Sequence, residues 1–511
     1  MRKLSIFLLL SFLFTAGCSV NPVTGKREVV FMNTAQEIEM GRQNYVPMQQ
    51  SQGGIYDLDP ELSSYVQRVG QNVASQSGVN LPYEFTVINS SVPNAWALPG
   101  GKIAINRGLL YELESESELA AVLGHEAVHA AARHSAKQQT RAVLMQVGVL
   151  GTAVAASDND YRGLIIGGAN LLAQAGLARY GRSAELESDA YGMQYMSKAG
   201  YDPQGAVDLQ ETFVRLSEDR RSNWLSGLFA SHPPSRERVQ ANVATAATLP
   251  RGGIRGEREY QAAMRKTMQR KPAYEVYDEG RKALAEKDLD TALAKANEAI
   301  RMHTEEAHFH ALRGDVRLVQ DNYDWAVTNY TRAIDRRDGF FYYHLQRGIA
   351  RKELGQQDAA VVDLERSLQL LPTAPAHYAL GDIAKSRGDM AAAIKHFKVV
   401  AQSGGDYGKA AGAELVRLEL PSNPSAYIPT GCSADGNARL VVAVRNDTNV
   451  QITGVQVAVT YGDAYGRQQQ QRFAIAGQIP PGQIASVNTG LGPYTAGSNC
   501  PAQVVAAQVA E

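Results

Sequence analysis

Residues Ala120–Ser135 read AAVLGHEAVHAAARHS. The alanines, valines and leucine describe a helix suited to burial, yet three histidines and a glutamate stand within it. Buried ionisable groups need partners, so the reading of His125, Glu126 and His129 decides what this part of the chain is. His125 and His129 are four residues apart, about 40° around a helix axis, so both imidazoles reach one ion. Glu126 is turned about 100° from His125. That puts it beside the ion, where a carboxylate suits a base acting on water. The rival reading is surface histidines with a solvated glutamate, and the apolar surroundings speak against it.

A hydrolytic zinc site needs a third protein ligand and an open position. The best downstream source is RSAELESDAYGMQYM, Arg182–Met196. Glu185 and Asp189 share one helix face, whereas Glu187 is about 200° from Glu185. One carboxylate of the pair then binds metal, and the other holds a ligand histidine by a hydrogen bond. Spacing alone leaves open which does which.

The chain has 511 residues, which predicts three or four domains; it is 44% hydrophobic and 20% charged, with net charge -1. No strongly basic domain stands out, which excludes nucleic acid as the main partner. The basic run Arg251–Lys271 reads as a solvated linker. At the start, MRK and LSIFLLLSFLF form a charged and then an apolar region, too short to span a bilayer as a mature helix. TAGCS follows and resembles a bacterial lipobox, with Cys18 as the lipidated first residue of the mature chain. An ordinary secretory signal with a chance cysteine is the alternative, and both readings export the chain. Ser19 stands where an inner-membrane lipoprotein often carries Asp, which favours the outer membrane. In an oxidising periplasm Cys432 and Cys500 are expected to pair; two unpaired buried thiols are the alternative.

Helices are predicted at TAQEIEMGRQNYVPMQQ and PELSSYVQRVGQNVASQS, and strands at YEFTVIN and KIAIN. Ser115 or Ser117 caps the HEAVH helix. AVLMQVGVLGTAVAAS and GLIIGGANLLAQAGLA are short for membrane spans and read as core or plate-like helices. From 273 to 403 a repeat runs through the chain. Gly280, Gly314, Gly348 and Gly381 recur every 33–34 residues, in step with Ala292, Ala326, Ala360 and Ala393 and with Ala296, Tyr330, Leu364 and Phe397. This is the tetratricopeptide signature, which predicts a superhelix with a concave face for a protein partner. His310, His344 and His377 occupy equivalent positions and read as packing residues. Beyond residue 430, RLVVAVRND, GVQVAVTYGD, QRFAIAG and QIASVNTGL are short alternating runs, which predict a small all-β sandwich.

Taken in order, HEAVH, ELESDA and SHPPSRER resemble the prenyl-protease-like zinc metallopeptidases of the HtpX and BepA type. Asn94–Gly101 and Asn21–Gly25 fit the same family, so the resemblance covers residues 18 to 245. It implies one zinc ion per chain, held by His125, His129 and Glu185, with Glu126 as general base and Asp189 as the hydrogen-bonding partner. His232 either stabilises the transition state or takes the open zinc position as a further ligand. Arg238 fixes the site by pairing with a carboxylate. His134 matches no ligand position and is expected at a helix end, facing a carbonyl or solvent.

The expected architecture is multidomain. A lipoprotein signal peptide (1–17) precedes a mainly α, zincin-type metallopeptidase domain with a small β element (18–268). A tetratricopeptide solenoid (273–420) and a C-terminal all-β domain (430–511) follow. The expected function is zinc-dependent endopeptidase activity at the periplasmic face of the outer membrane of a Gram-negative bacterium. Its substrates would be misfolded or stalled envelope proteins, with the chain held by a lipid anchor. The alternative is a periplasmic chaperone or assembly factor that works through the repeats.

Overall fold

The computed structural model describes residues 18–148, 180–218, 232–462, 465, 467–495 and 499–510. The expected signal segment, most of the first apolar segment and all of the second lie outside the described residues. Among the described residues no helix is long and apolar enough to cross a membrane. The chain forms two compact units, Met1–Gly355 with Gln369–Leu371, and Gln356–Leu368 with Pro372–Glu511.

The first unit begins with a hairpin, β1 (Cys18–Val20) and β2 (Arg27–Val29), followed by α1 (Thr34–Ser51) and α2 (Pro60–Ala74). Asp59 caps α2 and Pro60 sits in its first turn, where a missing N–H costs nothing. A three-stranded sheet follows, β3 (Glu84–Ile88), β4 (Ala95–Leu98) and β5 (Lys102–Asn106), in the order β3-β5-β4. β5 runs parallel to β3 and antiparallel to β4. Then come α3 (Glu116–Ala131), α4 (His134–Gly148), α5 (Arg182–Lys198), α6 (Gln204–Glu218) and α7 (Arg236–Ala246). Ser115 caps α3 by accepting from the Glu118 N–H.

α3 is the axis of this unit: every residue from Ser117 to Ala131 is buried. It packs against α2, α5, α6 and the sheet. Its approach to α5 depends on two glycines. A Cβ at Gly124 would stand 3.1 Å from the Gly192 carbonyl oxygen, and a Cβ at Gly192 would stand 2.9 Å from the His125 nitrogen. The crossing is therefore closest one residue from His125 and three from Asp189, which brings the acidic face of α5 over the histidines.

Most of the expected linker at Arg251–Lys271, from Glu257 on, is instead the first half of a 29-residue helix, α8 (Glu257–Ala285). Tyr260, Met264 and Thr267 are buried along one side of it. The Tyr260 hydroxyl donates to the Leu110 carbonyl at 2.6 Å. Basic residues on the other faces concealed that apolar stripe in the sequence. The same helix carries Tyr274, Tyr277, Gly280 and Ala283 into the repeats, where they are also buried.

The repeat helices follow: α9 (Leu289–Met302), α10 (Ala307–Val319), α11 (Tyr323–Arg336) and α12 (Phe341–Glu353) in the first unit. α13 (Gln357–Leu370) falls mostly in the second, with α14 (Ala374–Ser386), α15 (Met390–Ala401) and α16 (Gly405–Glu419). Small residues recur here because rings cover them: a Cβ at Gly314 would stand 2.7 Å from the Tyr330 ring. His310 and His344 do the same job in successive repeats. Each is buried and pairs its Nε2 at 2.9 Å with a carbonyl six residues earlier, Thr304 and Asp338.

The second unit ends in two antiparallel three-stranded sheets. One has β7 (Leu440–Arg445) between β6 (Thr430–Ala434) and β10 (Ile484–Asn488). The other has β8 (Ile452–Gly462) between β9 (Gln468–Ala474) and β11 (Ala502–Val509). Leu440, Val442, Val444, Val455, Val457, Val459 and Val504 fill the core between them. Cys432 and Cys500 are disulfide-bonded across a separation of 68 residues, joining β6 to the segment that enters β11. Closing a loop of that length is worth about 4 kcal/mol on chain-entropy grounds. A Cys432→Ala/Cys500→Ala variant is expected to unfold at correspondingly lower denaturant. Equilibrium denaturation of this β signal, with and without reductant, checks it.

Candidate metal centre

Four side chains from three places in the sequence converge on one point. His125, His129, Glu185 and His232 are all buried, and one ligand atom from each lies within 4.8 Å of the other three. The Nε2 atoms of His125 and His129 are 3.0 Å apart, and His232 Nδ1 is 3.3 Å from His125 Nε2. Glu185 puts its oxygens 3.4 Å from His129 Nε2, 3.5 Å from His125 Nε2 and 3.2 Å from His232 Nδ1. Donors about 2.0–2.1 Å from a tetrahedral ion are separated by about 3.3 Å, so these spacings fit one zinc ion. The donor set, imidazoles with one carboxylate, is that of zinc as well.

The surrounding bonds aim the donors. Asp189 Oδ1 accepts from His125 Nδ1 at 2.8 Å, which frees Nε2 to face the cluster. Arg238 grips Asp189 through two bonds of 2.7 Å and reaches Glu185 Oε2 at 3.0 Å. It is placed by α7, whose cap Ser235 accepts from the Arg238 N–H. Removing one partner from such a buried set leaves the others unpaired at a cost of about 3–5 kcal/mol.

His134 differs from expectation. It is buried, not solvent-facing. Arg133 takes a left-handed conformation, φ 60°, which ends α3 and turns α4 back so that its first residue meets His129. His134 Nδ1 lies 2.9 Å from His129 Nδ1, and its Nε2 lies 3.1 Å from Glu187 Oε1. Glu187, off the metal-facing side of α5, thus anchors the second histidine through His134, as Asp189 anchors the first directly. Tyr180 lies flat on His129 with centroids 3.9 Å apart, and its hydroxyl bonds Ser135 Oγ at 2.8 Å. Sequence reading passed over both contacts. The only signal for them was a third histidine five residues after His129.

Glu126 stands beside the cluster, as its helix position requires. It is 2% exposed, and its Oε2 has no hydrogen-bond partner among the described residues. Its Oε1 is 3.5 Å from His232 Nε2. Burial pushes its carboxyl above the ordinary range. Burial also pushes His129 well down, towards the neutral form that ligates. In Asp189 burial is outweighed by Arg238 and His125, which hold the carboxyl below its usual range. An apolar cavity opens beside Glu126, lined by Val122, Met193, Leu209 and Phe213 among others.

A helix with HEAVH, its glutamate buried beside the histidines, and a second helix supplying a carboxylate define an HExxH metallopeptidase centre. The chain belongs to Peptidase family M48, whose model matches residues 60–246. The beta-barrel assembly-enhancing protease of Yersinia pestis is 33% identical over 219 residues, 42% of this chain and 43% of that one. The mitochondrial metalloendopeptidase OMA1 of Schizosaccharomyces pombe is 38% identical over 181 residues, 34% of this chain and 50% of that one. Metalloprotease YcaL of Escherichia coli (strain K12) is 30% identical over 184 residues, 35% of this chain and 68% of that one. The chain spans about half the length of the first two of these relatives.

Proposed function

We propose that this chain is a zinc-dependent endopeptidase of the Gram-negative envelope. In this reading it is exported, held at the periplasmic face of the outer membrane by lipid on Cys18, and acts on misfolded or stalled envelope proteins. One observation carries the enzymatic part: the Oε2 of Glu126, without a hydrogen-bond partner among the described residues and buried beside four converging donors. A carboxylate oxygen kept dry and unpaired has no structural use, since burial without a partner is costly. It has a catalytic use as a proton acceptor. The relatives named proteases support the peptide substrate, and those of the beta-barrel assembly-enhancing type support an envelope client.

His125, His129 and Glu185 hold the metal, and His232 adds a fourth donor at rest. When bound, zinc polarises a peptide carbonyl and lowers the pKa of water. Glu126 takes the water proton at Oε2 and later delivers it to the leaving amine. Asp189 and the His134–Glu187 pair keep the two ligand imidazoles in the tautomer that presents Nε2. His232, His125 and His129 hold the Glu185 carboxyl below its usual range, and Arg238 does the same for Asp189.

Purified protein incubated with an unfolded substrate is expected to cleave it, to stop with chelator and to resume with added zinc. Cleavage that ignores chelator, or none after zinc loading, would overturn the reading in favour of the repeat-based chaperone. His134→Ala is expected to weaken zinc binding by about 10–100-fold, with Glu187→Gln showing the same trend. Competition with a chromogenic chelator measures this independently of cleavage.

A further inference from the structure

The NPVTG motif after Cys18 has no part in the metal chemistry, yet it builds a rigid hairpin. Asn21 Oδ1 accepts from the Val23 and Thr24 N–H groups at 2.9 and 3.3 Å, and Gly25 N bonds back to the Asn21 carbonyl at 2.9 Å. The register sets Cys18 opposite Val29, Ser19 opposite Glu28 and Val20 opposite Arg27. Strand alternation then gives the hairpin two unlike faces.

The inner face is pinned. Arg133 Nη1 donates to Ser19 Oγ at 2.6 Å, and Lys137 pairs with Glu28 at 2.6 Å. Val30 is buried, and the Phe31 N–H reaches Thr140 Oγ1 at 3.1 Å. Asn21 Nδ2 donates to Glu187 at 3.3 Å, the carboxylate that holds His134 on His129. The outer face is open. Val20, Val29 and Phe31 are 55%, 49% and 43% exposed, with Lys26 and Arg27 exposed beside them. Single exposed apolar residues are ordinary; three on one small face with two basic neighbours are not.

We infer that this face is a membrane-contact surface, seated in the headgroup region of the lipid bilayer. The inference rests on the lipidation of Cys18. A strand advances about 3.4 Å per residue, so Val20 lies about 7 Å from the acylated position, within the depth of an interfacial layer. No linker intervenes between Cys18 and the pinned strand, so the hairpin has no slack with which to leave the surface. Valine and phenylalanine side chains suit the boundary between headgroups and acyl chains, and Lys26 and Arg27 suit anionic headgroups. The contact orients the enzyme as well as tethering it. The hairpin is joined to the metal site through Asn21, Glu187 and His134, so the cleft is held at a fixed attitude to the membrane. Its substrates are then polypeptides lying at the bilayer surface.

The test uses the full chain, processed in a Gram-negative host and reconstituted in phosphatidylethanolamine–phosphatidylglycerol vesicles with acyl-brominated lipid. Val20→Trp and Phe31→Trp each add emission to that of the native tryptophans. This added emission is expected to fall at least twofold in brominated vesicles. Val243→Trp, at a position 50% exposed on α7, is expected to lose none. The mass of the N-terminal peptide reports lipid on Cys18 separately. Lipid present without quenching at 20 or 31 overturns the membrane face. No lipid on Cys18 overturns the anchoring on which it rests. Shielding from aqueous iodide without quenching by bromolipid means that protein covers the face, and also overturns the inference.

Discussion

Glu126→Gln is expected to retain zinc and fold while its turnover falls by about 10²–10⁴-fold. The amide matches the carboxylate in shape, so the packing of α3, where every neighbour is buried, is undisturbed. It has no basic oxygen to take a proton from water. Among the described residues Oε2 has no hydrogen-bond partner to lose. Single-turnover cleavage of an unfolded substrate, alongside zinc content by mass spectrometry, separates chemistry from metal loss. Undiminished turnover with zinc bound would remove Glu126 from the reaction. Zinc loss in Glu126→Gln would make it a ligand, which its position beside the cluster contradicts.

The parts of this site that sequence made legible are those governed by helix periodicity. His125, Glu126 and His129 follow from a spacing of four and one, and Glu185 with Asp189 from another spacing of four. Spacing alone left the choice between those carboxylates open; the family resemblance assigned it, and its physical basis is where α5 crosses α3. That crossing is set by Gly124 and Gly192, which stand 68 positions apart in the chain. His134 was misread for a related reason. Its contact with His129 needs the chain to reverse at Arg133, and a single left-handed residue other than glycine leaves no mark in the sequence. The α8 helix was hidden because Tyr260, Met264 and Thr267 are sparse among charges. Its buried stripe belongs to a helix lying on a core rather than one inside it. The repeats were clear throughout, since each small residue is required afresh every 33–34 positions by the same packing. In the β domain four strands were legible as alternating runs. β6, with Gly431 and Cys432 in five residues, was too short to read, and β11 carries the alanine-rich sequence AQVVAAQV.

His232→Ala is expected to raise basal cleavage of unfolded protein, by about tenfold or more, the factor that 1.4 kcal/mol of lost ligation represents. Two roles for this residue predict opposite signs, and the geometry separates them. A group stabilising an oxyanion stands off the ligand cluster and donates towards the substrate oxygen. His232 Nδ1 instead lies 3.3 Å from His125 Nε2 and 3.2 Å from both Glu185 oxygens. Those are the separations of ligands sharing one ion. With zinc bound, an imidazole in that position would take the coordination site that catalysis must keep open; its Nε2 sits 3.5 Å from Glu126 Oε1. On this reading the resting arrangement would be closed, and activity would require His232 to leave. Ser231 and the twelve residues before it lie outside the described residues, while Pro233 and Pro234 follow it and fix φ at two consecutive positions. Removing the imidazole opens the site at the price of one ligand, so zinc affinity should fall while the rate on loaded enzyme rises. Measuring kcat/KM with saturating zinc, next to zinc affinity, distinguishes the two roles. A loss of about 10²–10³-fold with zinc retained would make His232 an oxyanion donor and leave the resting site open.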